Sequence, residues 1–159
     1  MPKSLVLFHA NCADGFGAAI AAYTAIGEAG EYVAVQHGQP PPDVTGRDVY
    51  ILDFSYPRDV LEQMFGVANS LLVLDHHESA QQALAGLTYA RFDLTHSGAV
   101  LAWEYFHPGT RVPDLLAYVE DRDLWHHALP QTHEISAYLR AVGYEWPDAR
   151  DEWPDARDE

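Results

Sequence analysis

The stretch SLLVLDHH, residues 70–77, contains a short apolar run that ends on one aspartate and two adjacent histidines. An apolar run of this length, bounded by polar residues, predicts a strand that is buried on both faces. Two other stretches share the pattern: SLVLFH (4–9) ends on His9, and DVYILDF (48–54) carries Asp53. Three such strands predict a parallel sheet, because parallel sheets are normally covered on both sides.

Segments with helical patterns separate these strands. Residues 13–29 and 57–65 read as helices, and a further short strand is predicted at residues 32–35. The second half of the chain is predicted to be helical, at residues 97–106, 113–121 and 131–142. Strands that alternate with helices predict the α/β class, here a doubly wound parallel sheet with helices on both faces and a helical second half.

The sequence predicts one domain, residues 1–144, followed by an acidic tail, residues 145–159. Within the tail, EWPDARD occupies 145–151 and recurs at 152–158. The repeat has no apolar stripe, so it is not a coiled coil, and we expect it to be disordered or loosely helical. An acidic docking tail is the alternative, and the repeat also suggests that the chain stops abnormally.

Composition narrows the classes of function. The net charge is -15, with 24 acidic residues against 9 Lys and Arg, which argues against stable binding of duplex nucleic acid. A phosphate-bearing small molecule or short oligonucleotide stays compatible, because divalent ions can supply positive charge locally. One cysteine excludes an internal disulfide framework. No signal or membrane segment is predicted, so we expect a cytoplasmic protein.

Polar residues gather where the predicted strands end. His9, Asp53 and the Asp75-His76-His77 run should share one sheet edge, because parallel strands have their carboxyl ends together. Helix capping explains one such aspartate but is a poor account of three strand ends. Carboxylates combined with imidazoles suit Mn²⁺, and also Co²⁺, Zn²⁺ or Fe²⁺, whereas Mg²⁺ is usually held by oxygens alone. Asp53 is our choice for a carboxylate that bridges two ions.

Five segments then resemble, in order, the motifs of the DHH family of phosphoesterases. They are HANCADGFGAA (9–19), ILDFSYP (51–57), LDHHESA (74–80), SGAVLAW (97–103) and YVEDRDLW (118–125). The resemblance implies a metal-dependent phosphohydrolase or phosphodiesterase. It would hydrolyse a nucleotide, a short oligonucleotide or a phosphoanhydride with water activated by two metal ions, for which Mn²⁺ is expected and Mg²⁺ or Co²⁺ is the alternative.

The resemblance also implies a role for each site residue. His9 and Asp53 would bind the first ion, and the second would be bound by Asp14, Asp53, His76 and Asp121. Asp75 would orient the adjacent ligating histidine. His77 would act on the substrate phosphate as the catalytic residue, either stabilising charge or protonating the leaving oxygen.

The first motif departs from the family pattern. Asn11 and Cys12 stand where family members usually carry an aspartate, so a neutral oxygen or a thiolate would have to replace it. A thiolate would favour softer ions, while packing before the helix is the alternative role for Cys12. Arg122 could bind substrate phosphate or form a surface ion pair. Ser97 and Gly98 could bind phosphate at a helix start, although capping by Thr95 or Ser97 competes.

Nothing after residue 125 resembles the substrate-binding domain that usually follows in this family. A truncated, non-catalytic module that binds metal or nucleotide is therefore the second hypothesis. Such a module would need a partner, which could be a second copy of the chain in a homodimer or a separate substrate-binding subunit. Loss of the covering half would impair catalysis because substrate positioning contributes much of a rate enhancement.

Overall fold

The computed structural model describes residues 3–153, and its centre is a parallel sheet of five strands. The strands are β1 (Ser4–His9), β2 (Gly30–Val35), β3 (Asp48–Leu52), β4 (Ser70–Asp75) and β5 (Ala90–Phe92). Their spatial order is β2-β1-β3-β4-β5, and all four pairings are parallel. This order places the carboxyl ends of β1, β3 and β4 side by side at one edge.

Seven α-helices are found within residues 3–153. They are α1 (Ala13–Ile26), α2 (Arg58–Val67), α3 (Glu78–Ala83), α4 (Gly98–Phe106), α5 (Asp114–Asp123), α6 (Thr132–Val142) and α7 (Asp148–Glu152). A short 3-10 turn, Gly27–Ala29, follows α1. Not one of the helices in this part of the chain has the length and apolar composition that a membrane crossing requires.

The sheet separates two apolar clusters, because successive strand residues point to opposite faces. Val6 and Phe8 of β1 pack on one face with residues of α1, α4, α5 and α6. Leu5 and Leu7 pack on the other face with Leu61 of α2. Helices therefore cover both faces, and the predicted doubly wound α/β fold is confirmed.

The strand predicted over residues 48–54 is shorter in the structure, because β3 ends at Leu52. Asp53 takes a left-handed backbone conformation with φ of 67°, which ends the extended backbone. The short edge strand β5 was not predicted. Its three residues include a charged one, Arg91, so it lacks the apolar run that identified the central strands.

The expectation of a disordered tail is wrong for residues 145–153. Trp153 is buried, its ring centroid lies 4.8 Å from that of Phe16, and its indole N–H donates to the carbonyl of Gly143. Trp146 packs against Tyr32 with a centroid distance of 4.7 Å. The repeat lacks a helical stripe but supplies one tryptophan per copy, and these two aromatics anchor the segment on the domain. Residues 154–159 lie outside the described residues.

Candidate metal centre

Asp53 directs its carboxylate across the sheet edge because of the turn that follows β3. Its left-handed backbone is fixed by a hydrogen bond from its own N–H to the carbonyl of Leu74, at 3.0 Å. Oδ1 of Asp53 then lies 2.9 Å from Nε2 of His76, which follows the neighbouring strand β4. The structure thus brings together the ends of β3 and β4, as the sequence predicts.

His76 Nε2 faces two buried carboxylates. Besides Asp53, it lies 3.1 Å from Oδ2 of Asp14 on α1. Burial opposes a charge on the imidazole, but the two carboxylates outweigh this effect and raise the pKa of His76 to about 11. One nitrogen with one proton cannot fully satisfy two carboxylates, so this arrangement suits a multivalent cation better than a proton.

The two carboxylates differ in their acidity. Burial, followed by the negative charge of Asp53, raises the pKa of Asp14 to about 6. Burial opposes ionisation of Asp53 too, but hydrogen bonds with His76 and His9 outweigh it and lower the pKa of that carboxyl. The pKa values of the two carboxyl groups differ because their negative charges repel each other. A bound cation would reduce this repulsion.

The start of α4 holds Asp14 in place. The N–H groups of Gly98 and Ala99 each donate to a different oxygen of the Asp14 carboxylate, both at 2.8 Å. A Cβ atom at Gly98 would come within 2.6 Å of the side chain of Asp53, so glycine is needed for this close approach. The N-terminus of α4 is therefore occupied by an aspartate of the protein itself.

This contact corrects the expectation that Ser97 and Gly98 bind substrate phosphate. Ser97 is buried, and its hydroxyl accepts a hydrogen bond from the N–H of Val100 as the cap of α4. Its own N–H donates to Oε2 of Glu120 at 2.8 Å. The backbone N–H groups of Ser97 and Gly98 therefore already have protein partners. Of the two candidates for capping, Thr95 and Ser97, it is Ser97 that caps α4.

A second group of possible ligands lies where β1 ends. Nδ1 of His9 is 3.4 Å from Sγ of Cys12 and 3.7 Å from Oδ2 of Asp53, and Sγ is 3.4 Å from the same oxygen. Cys12 also caps α1 by accepting the N–H of Gly15. The ligand atoms of His9, Cys12 and Asp53 all lie within 4.8 Å of one another. The capping and the ligand positions are compatible, so both expectations for Cys12 stay open.

Asp75 was expected to orient His76, but its side chain contacts the imidazole of His77 instead. Its Oδ1 lies 2.6 Å from Nδ1 of His77, whereas His76 is contacted only through its backbone N–H, at 2.8 Å. Oδ2 of Asp75 is buried and has no hydrogen-bond partner among the described residues. A buried carboxylate oxygen without a donor is costly, and Asp75 forms a possible ligand group with Asp53, His76 and His77.

The structure places Asp121, an expected metal ligand, outside the groups of possible ligands found in residues 3–153. Both of its carboxylate oxygens accept hydrogen bonds from the loop after α5, namely from the N–H groups of Ala128 and Leu129 and the hydroxyl of Thr132. These contacts outweigh the effect of burial and lower the pKa of Asp121. Asp121 thus fixes the loop between α5 and α6 and is absent from the ligand groups found in residues 3–153.

Asp123 occupies the place expected for Asp121. Its Oδ2 lies 3.7 Å from Nε2 of His76, and it forms a possible ligand group with Asp14 and His76. Burial and the charge of Asp14 raise the pKa of Asp123 to about 6. Burial alone would have favoured Asp121, because Asp121 is among the buried residues of α5 and Asp123 is more exposed.

The remaining predicted residues lie beside the cluster. Asn11 has a left-handed backbone, with φ of 59°, and lines a neighbouring cavity without joining a ligand group of the described chain. Arg122 lines the same cavity, and its guanidinium lies 4.3 Å from the ring centre of Trp125. No carboxylate within residues 3–153 forms an ion pair with Arg122.

The donor set fits a centre for divalent ions. One set of ligands, around Asp14, His76 and Asp123, combines carboxylate oxygens with an imidazole. The other set, around His9 and Cys12, adds sulfur, and Asp53 lies between the two within contact of both histidines. The unpartnered oxygen of Asp75 is a further vacant acceptor. Mixed oxygen, nitrogen and sulfur donors suit first-row transition ions.

Comparison with known proteins supports the fold. No protein-family model matches the chain. It is 32% identical over 153 residues to "Uncharacterized protein R106" of Acanthamoeba polyphaga mimivirus, covering 85% of this chain and 36% of that protein. The crystal structure of an uncharacterized protein from Helicobacter pylori G27 is similar, with a TM-score of 0.67 at 13% identity. That match covers 89% of this chain and 48% of the other, so the chain spans half or less of both proteins.

Proposed function

We propose that the chain is a metal-dependent phosphohydrolase domain of the DHH type. Its substrate would be a nucleotide, a short oligonucleotide or a phosphoanhydride. One observation carries this proposal: Asp14, Asp53, His76 and Asp123 come from four separate elements, and their carboxylate oxygens and imidazole nitrogen converge at the carboxyl edge of the sheet. The motifs that resemble the DHH family supply these residues, with Asp123 in place of Asp121.

The ligands would divide around Asp53. His9 and Cys12 would hold one ion on the side of β1, and Asp14, His76 and Asp123 would hold the other on the side of α1 and α5. When bound, such ions supply positive charge that neutralises phosphate oxygens and lowers the pKa of water. Mn²⁺ fits the second set, whereas the sulfur of Cys12 would favour a softer ion in the first.

His77 is placed to handle a proton. A carboxylate oxygen can only accept, so the 2.6 Å contact with Asp75 requires the hydrogen of His77 to lie on Nδ1. This contact, against the effect of burial, raises the pKa of His77. Nε2 is then the nitrogen left to take or give a proton, and the side chain is about half exposed at the rim of the cluster. His77 would donate that proton to the leaving oxygen.

The test is Mn²⁺-dependent release of p-nitrophenol from bis-p-nitrophenyl phosphate by the purified chain, together with its bound metal content. Asp53→Asn should abolish both, because the amide keeps only one oxygen and carries no charge with which to bridge two ions. His77→Gln should keep the metal and lose turnover. Asp59→Asn, an exposed carboxylate in the first turn of α2, is the matched control.

The results of this experiment distinguish a phosphohydrolase from a non-catalytic binding module and test the roles of Asp53 and His77. Two ions retained in Asp53→Asn would overturn the bridging assignment, and metal loss in His77→Gln would overturn the role of His77. Metal binding without turnover under any divalent ion would instead favour a non-catalytic binding module. The chain spans 36% of the length of its viral relative.

A further inference from the structure

A cavity of about 410 Å³ opens directly beside the candidate metal centre. The start of α1 and the facing sides of α5 and α6 form its walls, which include Asp14 and Asp123 of the centre itself. Its volume is in the range of pockets that hold small organic ligands. A molecule bound there would therefore have one end next to the carboxylate and histidine cluster.

Two arginines face this cavity, Arg122 on α5 and Arg140 on α6. Neither forms an ion pair with a carboxylate in the described part of the chain, although acidic residues outnumber Lys and Arg by 24 to 9. Of the five other arginines in residues 3–153, Arg47, Arg58, Arg111 and Arg150 form such pairs, and Arg91, which lies over the ring of Tyr105, does not. Two guanidinium groups without a carboxylate partner at one cavity of an acidic protein suit an anionic ligand.

The rest of the cavity wall suits a planar ring. Trp125 is 70% exposed, and the guanidinium of Arg122 lies over its indole at 4.3 Å. Tyr118 and Tyr144 add two more aromatic side chains, and apolar residues complete the lining: Val119, Ile135 and Leu139. An exposed tryptophan beside an arginine gives a surface on which a flat base can stack.

We propose that this cavity binds a nucleoside monophosphate unit. Its phosphate would lie between Arg122 and Arg140, and its base would lie against Trp125 and Tyr144. This inference deepens the proposed phosphohydrolase function, on which its role as a substrate subsite rests. Nucleotides and oligonucleotides would then be preferred over polyphosphate and pyrophosphate, because only the former offer a ring to the aromatic wall.

The test measures binding of adenosine 5′-monophosphate by isothermal titration calorimetry in EDTA, so that no ion can link the phosphate to the acidic centre. Arg122→Gln and Arg140→Gln should each weaken binding about tenfold, the loss expected for a charge-assisted contact to phosphate. Arg111→Gln removes a paired, exposed guanidinium beside α5 and should bind like the wild type. Circular dichroism checks that all three variants fold.

Parallel titrations with adenosine and with inorganic phosphate identify which half of the ligand is recognised. Each should bind more weakly than the complete nucleotide. Phosphate that binds as tightly as the nucleotide would overturn the role of the aromatic wall. Wild-type affinity in both arginine variants, or no nucleotide binding by the wild type, would overturn the site.

The two proposals fail in different ways. Metal-dependent turnover with unchanged KM for a dinucleotide in both arginine variants would remove this subsite and leave the phosphohydrolase standing. Arginine-dependent nucleotide binding in a chain that never hydrolyses a phosphoester would leave the subsite standing and remove the enzyme. Trp125→Ala should raise the KM for a dinucleotide while leaving that for pyrophosphate, which has no ring, unchanged.

Discussion

Four consecutive residues at the end of α5 perform four different tasks. Glu120 accepts the N–H of Ser97 at the start of α4, Asp121 holds the loop after α5, Arg122 lines the cavity, and Asp123 approaches His76. Neighbouring residues on a helix point about 100° apart, which allows this division. Asp121 is therefore a structural carboxylate, and Asp123 is the one of the two aspartates that belongs to a possible ligand group.

The pair Asp121 and Asp123 gives a direct prediction. Asp123→Asn should weaken the binding of one metal ion and leave the Tm of the metal-free protein nearly unchanged, since this side chain contributes chiefly to the centre. Asp121→Asn should lower the Tm, because three donors lose a charged acceptor, and should change metal affinity less. Calorimetric metal titration and thermal unfolding of both variants check this, and a reversed pattern would restore Asp121 as the ligand.

Cys12 gives a prediction about metal preference. If its sulfur binds an ion with His9 and Asp53, Co²⁺ should produce a sulfur-to-metal absorption band that is absent from Cys12→Ser. Cys12→Asp should shift the preference from Zn²⁺ or Co²⁺ toward Mn²⁺, because a hard oxygen replaces sulfur. Visible and near-ultraviolet spectra of the Co²⁺ forms check this, and an unchanged spectrum in the serine variant would reduce Cys12 to a helix cap.

At the scale of elements, the strand ends were predictable and the helix ends were less so. An apolar run that stops at Asp or His marks a strand end in sequence, so His9, Asp53 and His76 could be placed at one edge. The role of the start of α4 could not be read from its sequence, because the groups that occupy it, Asp14 and Glu120, are far away along the chain. Long-range capping leaves no local signal.

The packing of the tail also could not be predicted from its sequence, because the repeat has no helical or strand periodicity. Two tryptophans in a short acidic repeat carried the packing, and a single aromatic side chain can bury 150–250 Å² or so. The average composition of the seven-residue repeat is acidic and does not reveal that one tryptophan in each copy packs on the domain. The nearly complete burial of Trp153 shows that the segment up to residue 153 belongs to the domain.

Removal of this anchor gives a prediction at the same scale. Trp153→Ala should lower the free energy of unfolding by about 3–5 kcal/mol, the usual cost of emptying a buried aromatic site. Tyr138→Ala on α6 is the control, because its ring is about half exposed and should contribute little. Urea unfolding followed by circular dichroism measures both, and equal stability of the two variants would show that the tail does not pack as described.

Across the whole molecule, the protonation of His76 links pH to the stability of the fold. Without an ion, His76 shares its proton with two buried carboxylates. Because its pKa is raised from 6.5 to about 11, the stabilisation from this charge is complete below pH 6.5 or so and is lost as the pH rises through about 11. Asp14 acts in the opposite sense, because its pKa is raised from 3.8 to about 6: the cost to stability develops as the pH rises between these values and is complete above about 6.

Metal binding should therefore release a proton. An ion and a proton compete for Nε2 of His76, so the apparent affinity should rise about tenfold per pH unit between about pH 6 and pH 9. An ion present at about 100 times its Kd should stabilise the fold by about 2.7 kcal/mol. Calorimetry in two buffers of different ionisation enthalpy counts the proton, and a pH-independent affinity would show that His76 is not a ligand.

Trp125 also gives the protein an optical property that needs no label. The chain has four tryptophans, and Trp103 and Trp153 are buried while Trp146 is partly covered by the tail packing. Trp125 is 70% exposed, so a water-soluble quencher such as acrylamide should reach this indole far more readily than the others. The red-shifted part of the emission then reports on the mouth of the cavity alone, and a ligand that enters should shield it in proportion to occupancy.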